Sequence, residues 1–501
     1  MISSEIVGHR SILQGIARRA MIERGLLPEF SPRVESELAK INRPSEAPAE
    51  SVKDLRSLPW CSIDNDDSQD LDQLTVAEQL PYGRVRIMVA ISDVDSLVTS
   101  KSAIDAHARH NTTSVYTAGM VFPMLPEKLS YDFTSLVFDE DRPAIVVDMI
   151  IGADGSLVES DVSMGIVRNH AKLAYNSVAA WLDGDGPMPE AIKSVEELEE
   201  NLRLQNRVAH DMRDYRHIHG ALSLETIEAR PVFDGDVLMR LEIQNRNSAK
   251  DIIEDFMIAA NGVIARFLES KGFPSIRRIV RTPKRWYRIV ELAAAHGYQL
   301  PGEPNSKALD QFLTKARADD PVRFPDVSLA VIKLMGSGEY VAEFPGESVP
   351  GHFGLAVRDY SHSTAPNRRY ADLITQRLIK AALDGEPVPY SPSELESLAR
   401  HCTEEEDEVR KVERQVEKSA AALLLRSRIG EQFESIVTGV TPEGTWVRLL
   451  DVPAEGKLVR GADDIDVGDH IRVQLLQVDV ERGFIDFANT GRQKRWRRDT
   501  D

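Results

Sequence analysis

Residues 62–74 read SIDNDDSQDLDQL, the most informative segment of the chain. It places Asp64, Asp66, Asp67, Asp70 and Asp72 within nine positions, with apolar Ile63, Leu71 and Leu74 interspersed. Apolar residues at that spacing argue against a solvated acidic tail. Aspartate and asparagine are poor strand and helix formers, so the segment predicts a loop that folds back on itself. Gathering like charges costs free energy unless a cation neutralises them. A few hard oxygen ligands suit Mg²⁺ or Mn²⁺, which accept waters and substrate phosphates as their remaining ligands. A calcium EF-hand is excluded: counted from Asp64, its glycine position holds Gln69 and its glutamate position holds Thr75. A surface turn rich in aspartate remains open on this segment alone.

Outward from the acidic segment, Val85, Ile87, Val89 and Ile91 alternate with Arg84, Arg86, Met88 and Ala90, the period of a strand. RPAIVVDMIIGADGSLVESDV (142–162) predicts a hairpin turning at Asp154-Gly155. Helical periodicity marks residues 190–217 and 250–270, and IVGHRSILQGIARRAMIERGLL predicts an amphipathic helix near the start. Residues 393–430 predict a long charged helix or helix pair. Beyond 431, FESIVTGV, GTWVRLL and HIRVQLLQVDV predict a small barrel of OB type. Strands and helices in blocks favour an α+β body over a doubly wound sheet. The expected partition is a helical segment over 1–50, a catalytic body over 51–430, the barrel over 431–490 and a basic tail over 491–501.

A second island is GHFGL (351–355) with YSHSTAPNRRYADL (360–373). Ser363 or Thr364 can cap a helix, Pro366 suits its first turn, and Arg368 with Arg369 follow at once. Cations there oppose the helix dipole, so an anion such as phosphate is the fitting partner. Two arginines pairing with local acids is the plainer alternative.

The chain has 501 residues, 42% hydrophobic and 28% charged, a composition of folded globular proteins. Its length predicts several domains. Two cysteines, Cys61 and Cys402, without a CxxC pair argue against disulfide or zinc scaffolds. No apolar run spans a membrane and the start lacks signal-peptide character, so cytoplasm is expected. A net charge of −19 does not exclude nucleic acid, because polyanion binding needs only a local basic surface. Candidates are Arg277, Arg278, Arg281, Lys284, Arg285 and Arg288 around Trp286, and Lys494, Arg495, Arg497 and Arg498 around Trp496. Each cluster alone reads more readily as a solvated face.

The acidic segment resembles the RNB-domain signature IDxxxxxDxDD of the ribonuclease II / ribonuclease R family. Asp64, Asp70 and Asp72 match its first three aspartates, and Gln73 replaces the fourth. HSTAPNRRYAD resembles that family's HFTSPIRRYxD box, with Asn367 at an otherwise apolar position. The stretch ending PMLPEKLS resembles the family's PMLPxxLS and KLAYNSV resembles its KLxYxxV, which implies base stacking by Tyr116 and Tyr175. Leu224 stands where the family has an aromatic clamp, and IIEDFMIAAN implies that Glu254 contacts the terminal ribose. His352 and His362 are expected to be structural.

The resemblance implies an RNB-type body around an RNA channel and a 3′-to-5′ exoribonuclease of single-stranded RNA that releases nucleoside 5′-monophosphates. It implies Mg²⁺ (or Mn²⁺) on Asp64, Asp70 and Asp72, with Gln73 at the site's edge, Arg368 on the phosphate and Arg369 beside the RNA. Two alternatives follow: an RNA-binding homologue with weak or no turnover because Gln73 brings no charge, and a structural or regulatory protein whose loop only binds a cation.

Overall fold

The computed structural model describes residues 8–45, 52–226, 228–244, 246–321, 323–463, 465 and 467–492. The basic cluster around Trp496 lies outside them. Seven strands form the central mixed sheet, in the spatial order Lys53–Asp54, Leu157–Arg168, Asp141–Ile151, Val85–Ser92, Gln73–Gln79, Cys61–Asp64, Ala171–Ala174. The two outer pairings are parallel and the inner ones antiparallel. The alternation in Val85–Ser92 divides two cores. Val85, Ile87, Val89 and Ile91 pack with Ile252, Phe256, Leu373 and Ile374, while Met88 and Ala90 pack on the other face with Trp60, Leu74 and Val146.

Helices Leu198–Ile218, Ser248–Ser270 and Tyr370–Asp384 supply the helical layer. The sheet hairpin does turn at Gly155, whose φ is +79°. A Cβ there would stand 2.1 Å from the Asp211 carbonyl oxygen, so only glycine lets the turn lie against the Leu198–Ile218 helix.

Near the start of the chain, helix His9–Glu23 buries Leu13, Ile16, Ala17, Ala20 and Met21. They join one continuous core with Val409, Val412 and Val416 of the 34-residue helix Pro392–Leu425 and with the barrel's Phe433, Val447 and Phe487. That long helix is single, with Ser391 and Glu394 forming a capping box. Five strands, Gln432–Thr441, Gly444–Leu449, Glu455–Arg460, His470–Asp479 and Phe484–Arg492, close the barrel. The fold is thus an α+β body carrying a closed barrel of OB type.

Two expectations are corrected. The helix expected from Pro366 begins at Tyr370, with Arg369 as its N-cap and no side-chain cap. Asp372 in its first turn accepts from the Ala365 backbone N–H (2.8 Å) and from Arg369 (2.7 Å), which holds residues 365–369 as a turn ahead of the helix. The cluster around Trp286 is not one basic face. Arg277 and Arg278 are buried in strand Ser275–Ile279 and paired with Glu343 and Glu406.

Candidate active site

Four strand ends converge on the site. Asp64 ends Cys61–Asp64 and pairs in register with Ala174, so Tyr175 follows directly beside it. Gln73 opens the adjacent antiparallel strand, and the Asp72 carbonyl accepts from the Ser92 N–H at 2.9 Å. The predicted acidic loop is therefore a wide connection between neighbouring strands, with Asp64 and Asp72 at its two feet. The arginine turn is laid across the same end. Thr113 Oγ1 and the Ser114 N–H donate to the Arg368 carbonyl at 2.9 and 3.0 Å, and the Tyr370 N–H donates to the Thr112 carbonyl at 2.7 Å.

Asp72 is 1% exposed. Its Oδ1 accepts from the Asn367 N–H at 3.0 Å and its Oδ2 from Arg368 Nε at 3.2 Å. Burial pushes its carboxyl up to about 7, with Asp70 adding to the rise and Arg368 opposing it. Asp64, half-buried, accepts from Ser68 Oγ at 2.9 Å and from the Asn65 N–H at 2.7 Å. Burial also raises its pKa, again with Asp70 adding to the effect. Asp70 accepts from the Tyr116 hydroxyl at 2.9 Å. Burial opposes the Arg368 charge, yet Tyr116, Asp72, Asp70 and Asp64 together raise its pKa. One guanidinium thus faces three carboxylates within electrostatic reach.

That surplus of negative charge on hard oxygen donors fits a divalent cation. Among the described residues, no three histidine, cysteine, aspartate or glutamate side chains converge into a ready ligand set. The carboxylates are instead held by Arg368, Tyr116 and Ser68. The donor chemistry fits; the arrangement is not closed around an ion.

The other sequence candidates separate into two groups. Tyr175 opens helix Tyr175–Leu182, and its phenol pKa is raised by burial and by Asp64. Gln73 is buried, 8% exposed, on the strand that follows Asp72. Arg369 is committed to buried Asp372, as the local-acid alternative held. Glu254, half-exposed on helix Ser248–Ser270, pairs with Arg246 at 2.9 Å. Leu224 packs on the small helical core around Trp286, Phe312 and Phe324. His352 and His362 are half-buried, His362 bonded to the Tyr340 hydroxyl at 2.8 Å.

A cavity of about 960 Å³ adjoins the acidic loop and is lined by Asp66, Asp67, Asp70, Tyr116, Tyr131 and Arg230 among others. Of the three matched aspartates, Asp70 faces it. Sequence reading missed Arg230, which reaches from hairpin Glu228–Gln244 to pair with Asp67 and, at 3.5 Å, with Asp66. It also missed Tyr131, whose phenol burial and Asp70 raise to about 12. Tyr131 directly follows the PMLPEKLS stretch and was legible as an aromatic at its edge; Arg230 carried no local signal.

Residues 52–385 match the RNB domain model, and residues 431–490 match that of the RNase II-type exonuclease C-terminal S1 domain. Ribonuclease R 1 of Lactococcus lactis is 29% identical over 97% of this chain and 62% of its own length. Ribonuclease R of Escherichia coli is 31% identical over 92% of this chain and 60% of its own length. The chain thus spans about three-fifths of these curated relatives. Among solved structures, Mycoplasma genitalium RNase R in complex with ribose methylated single-stranded RNA superposes with a TM-score of 0.85 at 22% identity, covering 95% of this chain and 78% of that one. Yeast Ssd1, described as a pseudonuclease, superposes with a TM-score of 0.73 at 16% identity over 93% of this chain and 58% of that one. Both likenesses are of fold. With the RNB model covering its central two-thirds and the S1 model its barrel, this chain belongs to the RNB-domain family of ribonucleases II and R.

Proposed function

We propose that the protein is a 3′-to-5′ exoribonuclease that hydrolyses single-stranded RNA to nucleoside 5′-monophosphates in the cytoplasm. The observation that carries this reading is the contact between buried Asp72 and Arg368 at the sheet end that also bears Asp64 and Asp70. A Mg²⁺ ion (Mn²⁺ as substitute) would be held by Asp64, Asp70 and Asp72, and when bound supplies Lewis-acid activation of water at the terminal phosphodiester. Arg368, already oriented by Asp72, stabilises charge that develops on the phosphoryl oxygens. Tyr116 and Tyr175 offer rings to unstacked bases, which disfavours duplex, and Glu254 offers a carboxylate to the terminal ribose. Among the described residues no helix is long and apolar enough to cross a membrane.

The second reading is an RNA-binding homologue with weak or no turnover. Gln73, buried and uncharged beside Asp72, favours it, and a family fold without nuclease action has a precedent in the neighbour named a pseudonuclease. Incubating the protein with oligoadenylate and Mg²⁺ separates the two. Mononucleotides that vanish with Asp72→Asn support the enzyme; tight binding without product supports the second reading and overturns the first.

A further inference from the structure

We propose that Asn367 is a positioning residue: with Ser92 and Thr134 it forms a buried clasp that fixes Asp72 against Arg368. The inference rests on the reading of the site given above. Asn367 stands where the family motif has an apolar residue, and it is 1% exposed. An amide at such a position costs free energy unless every polar atom finds a partner. Each one does. The amide oxygen accepts from the Thr134 hydroxyl, and Nδ2 donates to Ser92 Oγ at 3.2 Å and, more weakly, to the Thr134 carbonyl at 3.4 Å.

These bonds close a ring around the aspartate. Asp72 Oδ1 takes the Asn367 N–H at 3.0 Å, the Asp72 carbonyl takes the Ser92 N–H at 2.9 Å, and the Asn367 amide joins Ser92 on the far side. Arg368, the next residue, can therefore meet Asp72 Oδ2 only in the register the clasp sets. An apolar residue could hold this turn by packing, but packing is non-directional, whereas three segments hydrogen-bonded through one amide fix both distance and angle. The substitution matters in this chain because Gln73 withholds a charge next door. A site with fewer attractive charges depends more on how well the remaining ones are placed.

The test uses the full chain with Asn367→Ile and Ser92→Ala, alone and together. Ser92→Ala removes the nearer acceptor of the amide but leaves both backbone contacts of Asp72, and it serves if Asn367→Ile fails to fold. Expected for each single variant is a fall in kcat on short oligoadenylate, roughly 10- to 100-fold for Asn367→Ile and smaller for Ser92→Ala, from misplacement on the ångström scale. KM, and RNA affinity measured in EDTA, should stay within about twofold, which general unfolding would not allow. Mn²⁺ affinity read by electron paramagnetic resonance should weaken about tenfold or more, the range seen when groups behind metal ligands are removed. The double variant should lose no more than Asn367→Ile alone, because both cut one clasp. Unchanged kcat and Mn²⁺ affinity, or losses that multiply, overturn the proposal. If the wild type releases no mononucleotide, the exonuclease reading fails by itself, and the Mn²⁺ arm still decides the clasp.

Discussion

Arg368 Nε lies 3.2 Å from Asp72 Oδ2, joining residues 296 positions apart at the end of the central sheet. The pair is asymmetric, since Asp72 is 1% exposed while the arginine side chain keeps 42% of its surface open. A fully buried carboxylate holds a partly exposed arginine side chain from behind, so its orientation is set before a phosphate arrives. Asp72→Asn keeps the shape and removes the charge. We expect mononucleotide release to fall by about 10²- to 10³-fold or more, the scale of losing one preorganised electrostatic partner. RNA affinity in EDTA should not fall, because a like charge near the phosphates is removed. Retained turnover would detach Asp72 from the chemistry.

Gln73→Asp restores the acidic residue of the signature. Gln73 is 8% exposed at the start of its strand, so in metal-free protein the new carboxyl costs about 1–3 kcal/mol as the neutral acid and more when ionised. Mg²⁺ reverses the sign by neutralising it. The expected outcome is a lower melting temperature in EDTA, a larger upward shift on adding Mg²⁺ than in wild type, and a rate gain of about tenfold or more at limiting Mg²⁺, equivalent to ~1.4 kcal/mol in the barrier. A variant with the same Mg²⁺ dependence as wild type would show that position 73 does not face the ion.

Tyr116 presents two features that substitutions can separate, a hydroxyl tie and an open ring. Its hydroxyl donates to Asp70 at 2.9 Å, while the residue remains 41% exposed on the cavity wall. Tyr116→Phe removes the tie and keeps the ring; Tyr116→Ala removes both. If the ring stacks on a base, fluorescence anisotropy in EDTA should show near wild-type RNA affinity for the first. The second should lose about 1–3 kcal/mol. Equal losses would assign Tyr116 to holding Asp70 alone.

How far the sequence made this site legible depended on how local each signal was. Asp64, Asp70 and Asp72 sit in one short string, and the alternation of Val85–Ser92 set the sheet beside them. The barrel was legible because turns punctuate short strands from 432 onward. The start of the Tyr370–Asp384 helix was misplaced because Pro366 suits a first turn in isolation; the Asp372 carboxylate, bonded back to Ala365, keeps the preceding residues out of the helix. Arg277 and Arg278 looked like surface charge because their partners, Glu343 and Glu406, lie 66 and 128 residues away. The tie from Asn367 to Ser92 spans 275 positions, and no local pattern encodes it.

Acid stability should be set in part by histidines that burial keeps neutral. His107, tilted against Phe30 with ring centroids 4.4 Å apart, is pushed down to about 4 by burial and by nearby His110. Burial and Arg278 push His352 down to about 4, and burial with Arg369 and Arg278 drives His362 well below its ordinary value. A depressed histidine binds fewer protons folded than unfolded. Its contribution is therefore fully present above about pH 6.5 and is lost as pH falls towards 4, by up to ~1.4 kcal/mol per pH unit for each group. Asp72, raised to about 7, acts in the opposite sense, favouring the metal-free fold as pH falls from 7 towards 4. Total stability therefore mixes the two, and a difference curve isolates one. Urea melts of wild type and His107→Gln in EDTA between pH 7.5 and 4.5 should show a constant offset above pH 6.5. Below it, the wild type should lose stability more steeply than the variant. Parallel curves throughout would mean that the folded protein does not hold His107 below its ordinary value.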